Sequence, residues 1–127
     1  MPKRVVLSGA TGRMGQALVA LIQSDPELEA AGGLDVHARS GDEAKKFGVP
    51  VIAAIDDAGE LIAQADVVID FSAAAGTQSL LQKYGGALAG KALVIGTTGL
   101  TDDSNTLIAE VAKRAPVIVS ANYSIGV

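Results

Sequence analysis

The chain contains no cysteine and no tryptophan, a single histidine and only 3% aromatic residues. The missing cysteine excludes disulfides, thiolate metal sites and thiol catalysis. One histidine, His37, leaves no His/Ser/Asp constellation for nucleophilic catalysis and no histidine-rich spacing for a metal. Long apolar runs are absent too: nothing approaches the ~18 consecutive apolar residues of a membrane span. Residues 5–9 after Met1-Pro2-Lys3-Arg4 are too short an apolar run, broken at Gly9, for a signal peptide. A basic stripe is also lacking. The 10 basic and 14 acidic side chains are scattered and sum to −4, which argues against a nucleic-acid footprint. A soluble cytoplasmic protein is the expectation.

What remains is 49% hydrophobic residues and 15 glycines in 127 positions. With so few aromatics, the core must be built from Val, Ile, Leu and Ala. That mixture suits buried parallel strands covered by alanine-rich helices. Buried strands are expected at 4–8, 29–34, 51–52, 67–70, 92–95 and 117–120, the second diluted by Ala and Gly. Helices are expected at 14–24, at 57–65 with Asp56 or Asp57 as cap, at 77–89, and from an Asp102 or Asp103 cap to residue 114. Residues 36–48 read as a polar loop with a short helix. Strands alternate with helices, so the expected fold class is α/β, a Rossmann-type doubly wound parallel sheet in one domain. Residues 1–120 form the expected dinucleotide-binding domain. Residues 121–127 follow the last strand with no covering helix, so the end reads as a cut rather than a natural terminus.

The first strand runs into Gly9-Ala10-Thr11-Gly12-Arg13-Met14-Gly15, and a helix follows. In that context Gly9 permits a sharp turn, Gly12 lets backbone approach a pyrophosphate, and Gly15 lets helix pack on strand. The helix N-terminus offers its amides and dipole to the phosphates. The spacing is Gly9-x-x-Gly12-x-x-Gly15 rather than G-x-G-x-x-G, since Ala10 fills the usual first-glycine place. No Gly-Lys-Ser/Thr follows, which excludes a P-loop. Asp35 lies twenty residues beyond Gly15, at the end of the second strand, where a carboxylate can hydrogen-bond ribose hydroxyls and repel a 2′-phosphate. Arg39 reads as a solvated loop charge, although it could soften that preference for NADH. His37 reads as an exposed loop residue. Three further strand ends carry small polar residues: Asp70-Phe71-Ser72, Gly96-Thr97-Thr98-Gly99 and Ser120-Ala121-Asn122-Tyr123.

Taken together with Ser124-Ile125-Gly126-Val127, these motifs resemble the 4-hydroxy-tetrahydrodipicolinate (dihydrodipicolinate) reductase family, in order and over essentially the whole chain. The resemblance implies a reductase of lysine and diaminopimelate biosynthesis, passing hydride from NADH or NADPH to a small-molecule ring. It implies that Gly9, Ala10, Thr11, Gly12, Arg13 and Met14, with Gly15 behind them, hold the pyrophosphate, and that Asp35 holds the adenosine ribose. Phe71, Gly96, Thr97 and Thr98 would line the cofactor site, with Thr98 near substrate, and Ser120, Ala121, Asn122 and Tyr123 would complete the nicotinamide pocket, with residues 121–127 the start of a hinge to an absent substrate-binding domain. Arg13 can reach the phosphates or lie as a helix-surface charge. Members of the family are about twice this length and carry a substrate domain with a His-His pair, a Lys and a Ser-Gly-Thr stretch. None of these is present here, so these residues are expected to bind cofactor without turning over, and no catalytic residue is assigned. Some members place an Arg directly after the ribose acid to help NADPH bind; Val36 stands there, which favours NADH. The family's homotetramer is thought to use the missing domain, so this chain is expected to be monomeric. A short-chain dehydrogenase is disfavoured, since Leu88 and Val127 stand where a Tyr-x-x-x-Lys motif needs lysine. A non-catalytic NAD(H)-sensing or interaction module of the same fold remains open.

Overall fold

The computed structural model describes residues 2–119. Its elements alternate: β1 (Lys3–Ser8), α1 (Arg13–Gln23), β2 (Leu28–Asp35), α2 (Gly41–Lys46), β3 (Ile52–Ala54), a 3-10 turn (Ile55–Asp57), α3 (Gly59–Gln64), β4 (Val67–Asp70), α4 (Ala74–Tyr84), β5 (Ala92–Ile95), α5 (Asp102–Ala112) and β6 (Val117–Val119). The sheet is wholly parallel, in the order β3-β2-β1-β4-β5-β6. This is the Rossmann arrangement. The chain winds outward from β1 in one direction and, after β3, crosses back to β4 on the other side. The switch point lies between β1 and β4, where open α/β sheets receive ligands at their C-terminal edge.

Alternation along β1 divides the core between the two faces. Val5 and Leu7 pack with Val19, Ile22, Ala44, Val49 and Ile52 beneath α1 and α2. Val6 packs with Leu34, Ile62, Val68, Leu80, Leu93, Ile95 and Val111 beneath α3, α4 and α5. Both faces of the central strands are therefore buried, which is why β1, β4 and β5 are continuous apolar runs.

Several element boundaries differ from expectation. β2 is the longest strand, at 8 residues, despite its glycines. A Cβ at Gly32 would lie 2.9 Å from the side chains of Leu61 and Val51, so the glycine is the packing solution. β3 is Ile52–Ala54, later than residues 51–52. Asp56 and Asp57 fall in the 3-10 turn and cap nothing, because α3 starts after Ala58. Asp56 instead pairs with Lys83 at 2.9 Å. That hydrogen bond, and then the charge of Asp56, raise the Lys83 pKa above its ordinary value. The contribution to stability is full below the ordinary lysine pKa and is lost as pH rises through the raised one. α4 starts at Ala74 and ends at Tyr84, before the helix-weakening pair Gly85-Gly86. For α5 the cap is Thr101, whose Oγ1 accepts from the Ser104 amide at 3.1 Å. Asp102 and Asp103 occupy its first turn, where the helix dipole favours negative charge.

Tyr84 ties α4 to the 3-10 turn. Its hydroxyl donates to the Ile55 carbonyl at 2.5 Å and accepts from the Ala58 amide at 3.0 Å. Tyr84→Phe removes both bonds and strands that amide and carbonyl. Urea unfolding should show a loss of about 1–2 kcal/mol with an unchanged m-value.

Candidate functional site

The C-terminal edge of β1 opens into the glycine turn. Gly9 has φ of +88°, and a Cβ there would lie 2.8 Å from the Phe71 carbonyl oxygen. Gly12 accepts from the Gln16 amide at 3.0 Å and starts α1 with no side-chain cap and no acidic residue in the first turn. The space beside Gly12 is open, its nearest neighbour being the Gly9 oxygen at 3.5 Å. Gly15 is the opposite case: a Cβ there would run into the Gly9 oxygen and lie 2.7 Å from Ala10 Cα. The three glycines thus have three jobs, a positive-φ corner, an open approach and a close helix–strand packing. Ala10 is accommodated by a glycine elsewhere, since a Cβ at Gly33 on β2 would sit 2.6 Å from the Ala10 methyl. Gln16 braces the turn from below, its side-chain amide donating to the Thr11 carbonyl at 3.1 Å.

Asp35, at the end of the neighbouring β2, reaches the same turn. Thr11 Oγ1 donates to its Oδ2 at 3.5 Å, and the Val36 amide donates to Oδ1 at 2.7 Å. Arg39 is an exposed loop charge, as expected, but it is also paired. Its Nη2 lies 3.2 Å from Asp35 Oδ2, and its Nη1 lies 3.4 Å from Glu43. The guanidinium also lies over the Phe47 ring, 5.7 Å from the centroid. What puts it there is α2, begun by a Ser40 cap that accepts from the Glu43 amide at 3.2 Å and so brings Glu43 beside Arg39. His37 is exposed, as expected, and Arg13, Met14 and Thr98 are exposed too.

Beyond the switch point, β4 ends in a fully buried carboxylate. Asp70 Oδ1 accepts from the Ser72 amide at 3.1 Å and from Ser72 Oγ at 2.7 Å. Its Oδ2 accepts from the hydroxyls of Thr77 and, at 3.3 Å, Thr97. Thr97 is buried, so its hydroxyl points into the protein while Thr98 faces out. The Phe71 ring fills the space a Cβ at Gly96 would need, and the Gly96 amide donates to the Asp70 carbonyl at 2.9 Å.

One edge of the sheet therefore collects Gly9–Gly15, Asp35, Phe71, Gly96, Thr97 and Thr98. Ser120, Ala121, Asn122 and Tyr123, and the hinge expected at 121–127, lie outside the described residues. Sequence reasoning singles out Asp70 only as part of the Asp70-Phe71-Ser72 strand end, with no individual role, and passes over Thr77 and Gln16. A cavity of about 400 Å3 near Lys3, Asp66 and Lys91, and a smaller one between α4 and α5, include no residue of the glycine turn. Among the described residues no cluster of His, Asp and Glu could hold a metal ion, and no helix is long and apolar enough to cross a membrane.

Known proteins match this arrangement. The family model described as dihydrodipicolinate reductase, N-terminus, matches residues 3–123. A 4-hydroxy-tetrahydrodipicolinate reductase of Anaeromyxobacter dehalogenans is 39% identical over 98% of this chain and 47% of its own. One from Hahella chejuensis is 38% identical over 98% of this chain and 48% of its own. The chain thus spans about half the length of the curated relatives it matches. The dipicolinate-bound dihydrodipicolinate reductase of a Paenisporosarcina species superposes with a TM-score of 0.72 at 25% identity, over 99% of this chain and 49% of that one. An NAD-binding oxidoreductase of Klebsiella pneumoniae shares the fold, with a TM-score of 0.73 at 20% identity over 96% of this chain and 35% of that one. The chain belongs to the dihydrodipicolinate reductase family and corresponds to its N-terminal part.

Proposed function

We propose that these residues are the cofactor-binding half of a 4-hydroxy-tetrahydrodipicolinate reductase. The observation that carries this reading is the open backbone at Gly12, set at the switch point with Asp35 on the adjacent strand end. The pyrophosphate lies along the turn from Gly9 to Met14, the adenosine ribose on Asp35, and the nicotinamide beside Phe71, Gly96, Thr97 and Thr98. Bound NADH or NADPH supplies the hydride; the chain supplies position and a fixed set of backbone dipoles. Thr98 is the group nearest the substrate ring. No side chain here is assigned as proton donor, so the chain binds cofactor and does not turn over. Incubating it with NADH and the dipicolinate precursor should leave NADH unconsumed beyond the protein-free rate, whereas sustained consumption would remove the inactive half of this reading.

The cofactor preference follows from Asp35 and its neighbours. A carboxylate beside the ribose disfavours a 2′-phosphate, and Val36 offers no cation. Arg39, already on Asp35, offers one. The chain should bind NADH more tightly than NADPH, with a modest ratio. Arg39→Ala should widen that ratio by about tenfold, the worth of one charge-assisted contact, chiefly by weakening NADPH. Paired calorimetric titrations check this; an unchanged ratio would assign Arg39 to the free protein alone.

A further inference from the structure

Asp70 is a fully buried carboxylate to which the proposed chemistry gives no task. Its described partners are all neutral: one amide and three hydroxyls. Burying a carboxylate without a cation is costly unless every lone pair is met by a donor. The donors come from three separate places. Ser72 follows β4, Thr77 lies in the first turns of α4, and Thr97 follows β5.

The hydroxyls of Ser72 and Thr77 lie on Oδ1 and Oδ2 of Asp70. Thr77 Oγ1 also lies 2.8 Å from Thr97 Oγ1 as a donor, and Thr97 Oγ1 donates to Asp70 Oδ2 at 3.3 Å. The Thr97 hydroxyl is thus held inside the protein. Residues 96–98 can then meet a ligand only through their backbone and through the outward Thr98. The same strand end holds the other half of the site. The Phe71 amide donates to the Ser8 carbonyl at 2.9 Å, and the Phe71 carbonyl lies against Gly9. One buried cluster thus joins the pyrophosphate turn to the 96–98 segment.

We propose that Thr77, through Asp70 and Thr97, is a positioning residue for the nicotinamide half of the cofactor. This rests on the dinucleotide reading above. Thr77 touches no ligand; it sets where the backbone of residues 96–98 stands relative to the glycine turn, which a rigid supporting shell must do for a site to be preorganised. The adenosine half depends on it less, because the Gly9 amide is held by the Leu34 carbonyl and Asp35 pairs with Thr11 and Arg39, none of them in the cluster.

The test titrates the 127-residue chain with NADH and with ADP-ribose, which carries the same adenosine and pyrophosphate but no nicotinamide. Thr77→Val keeps the shape and removes the hydroxyl. It should weaken NADH by about tenfold, as for one lost hydrogen bond, while ADP-ribose changes less than about twofold. Thr77→Ser should restore most of the NADH affinity. Thr97→Val breaks the cluster from the other side, should give the same signature, and serves if the first variant does not fold. Equal weakening of both nucleotides, or of neither, would overturn the proposal by reducing the cluster to a structural role. Wild-type protein that binds neither nucleotide would overturn the dinucleotide reading, and the proposal with it. Binding of ADP-ribose alone would overturn the proposal and leave the adenosine half standing.

Discussion

Gly15→Ala should abolish measurable NADH binding and destabilise the domain by about 3 kcal/mol, toward the upper end of what overpacking costs. The added methyl has no flexible neighbour to push aside. It would collide with the Gly9 oxygen and sit 2.7 Å from Ala10 Cα, all of it main chain at the corner of the turn. Relief requires α1 to move off β1, and that movement displaces the helix N-terminus on which the pyrophosphate is proposed to rest. Gly12→Ala separates the two effects. Its backbone, at φ −78° and ψ 171°, suits any residue, and its Cβ would make only an ordinary contact. Stability should change by about 1 kcal/mol or less. NADH binding should still fall by more than tenfold, because the methyl occupies the space the phosphate needs. Urea unfolding and NADH titration of both variants check the pair. Equal loss of binding and stability in both would mean that the turn is only a fold element.

Asp70→Ala has the second-largest expected effect, a loss of about 3 kcal/mol of stability. Removing the carboxylate strands the Ser72 amide and the Ser72, Thr77 and Thr97 hydroxyls in a region water does not reach. Each stranded donor costs about 1–3 kcal/mol before relaxation, and the sum is not additive. Asp66→Ala is the matched comparison. Asp66 is also at a strand end and accepts the Arg4 amide at 2.9 Å, but it is exposed, so water replaces it. Its loss should be about 1 kcal/mol or less. Similar urea midpoints for the two variants would contradict the account of the buried cluster.

The parts of this protein that could be read from sequence are those in which the signal is local. Val67 to Asp70 and Ala92 to Ile95 are continuous β-branched and aliphatic runs, and both strands fall where that pattern puts them. The glycine turn was readable because strand, turn and helix are consecutive. Cap positions are ambiguous where two good candidates adjoin: Thr101 and Asp102 can both cap, and the outcome depends on which residue the preceding loop leaves extended. The start of α4 was hidden by Ala74 to Gly76, whose small side chains carry no periodicity. What sequence could not show is what depends on distant residues meeting. Asp70 and Thr97 are 27 residues apart, and Gly33 makes room for Ala10 from another strand. The Asp35–Arg39 pair is close in sequence, yet it depends on α2 and the Phe47 that follows it presenting Glu43 and an aromatic ring to the same guanidinium.

The most direct test of the central claim is a calorimetric titration of the chain with NADH. The account predicts saturable one-to-one binding, tighter than for NADPH. Absence of binding by both nucleotides, at protein concentrations where the domain is folded, would contradict it.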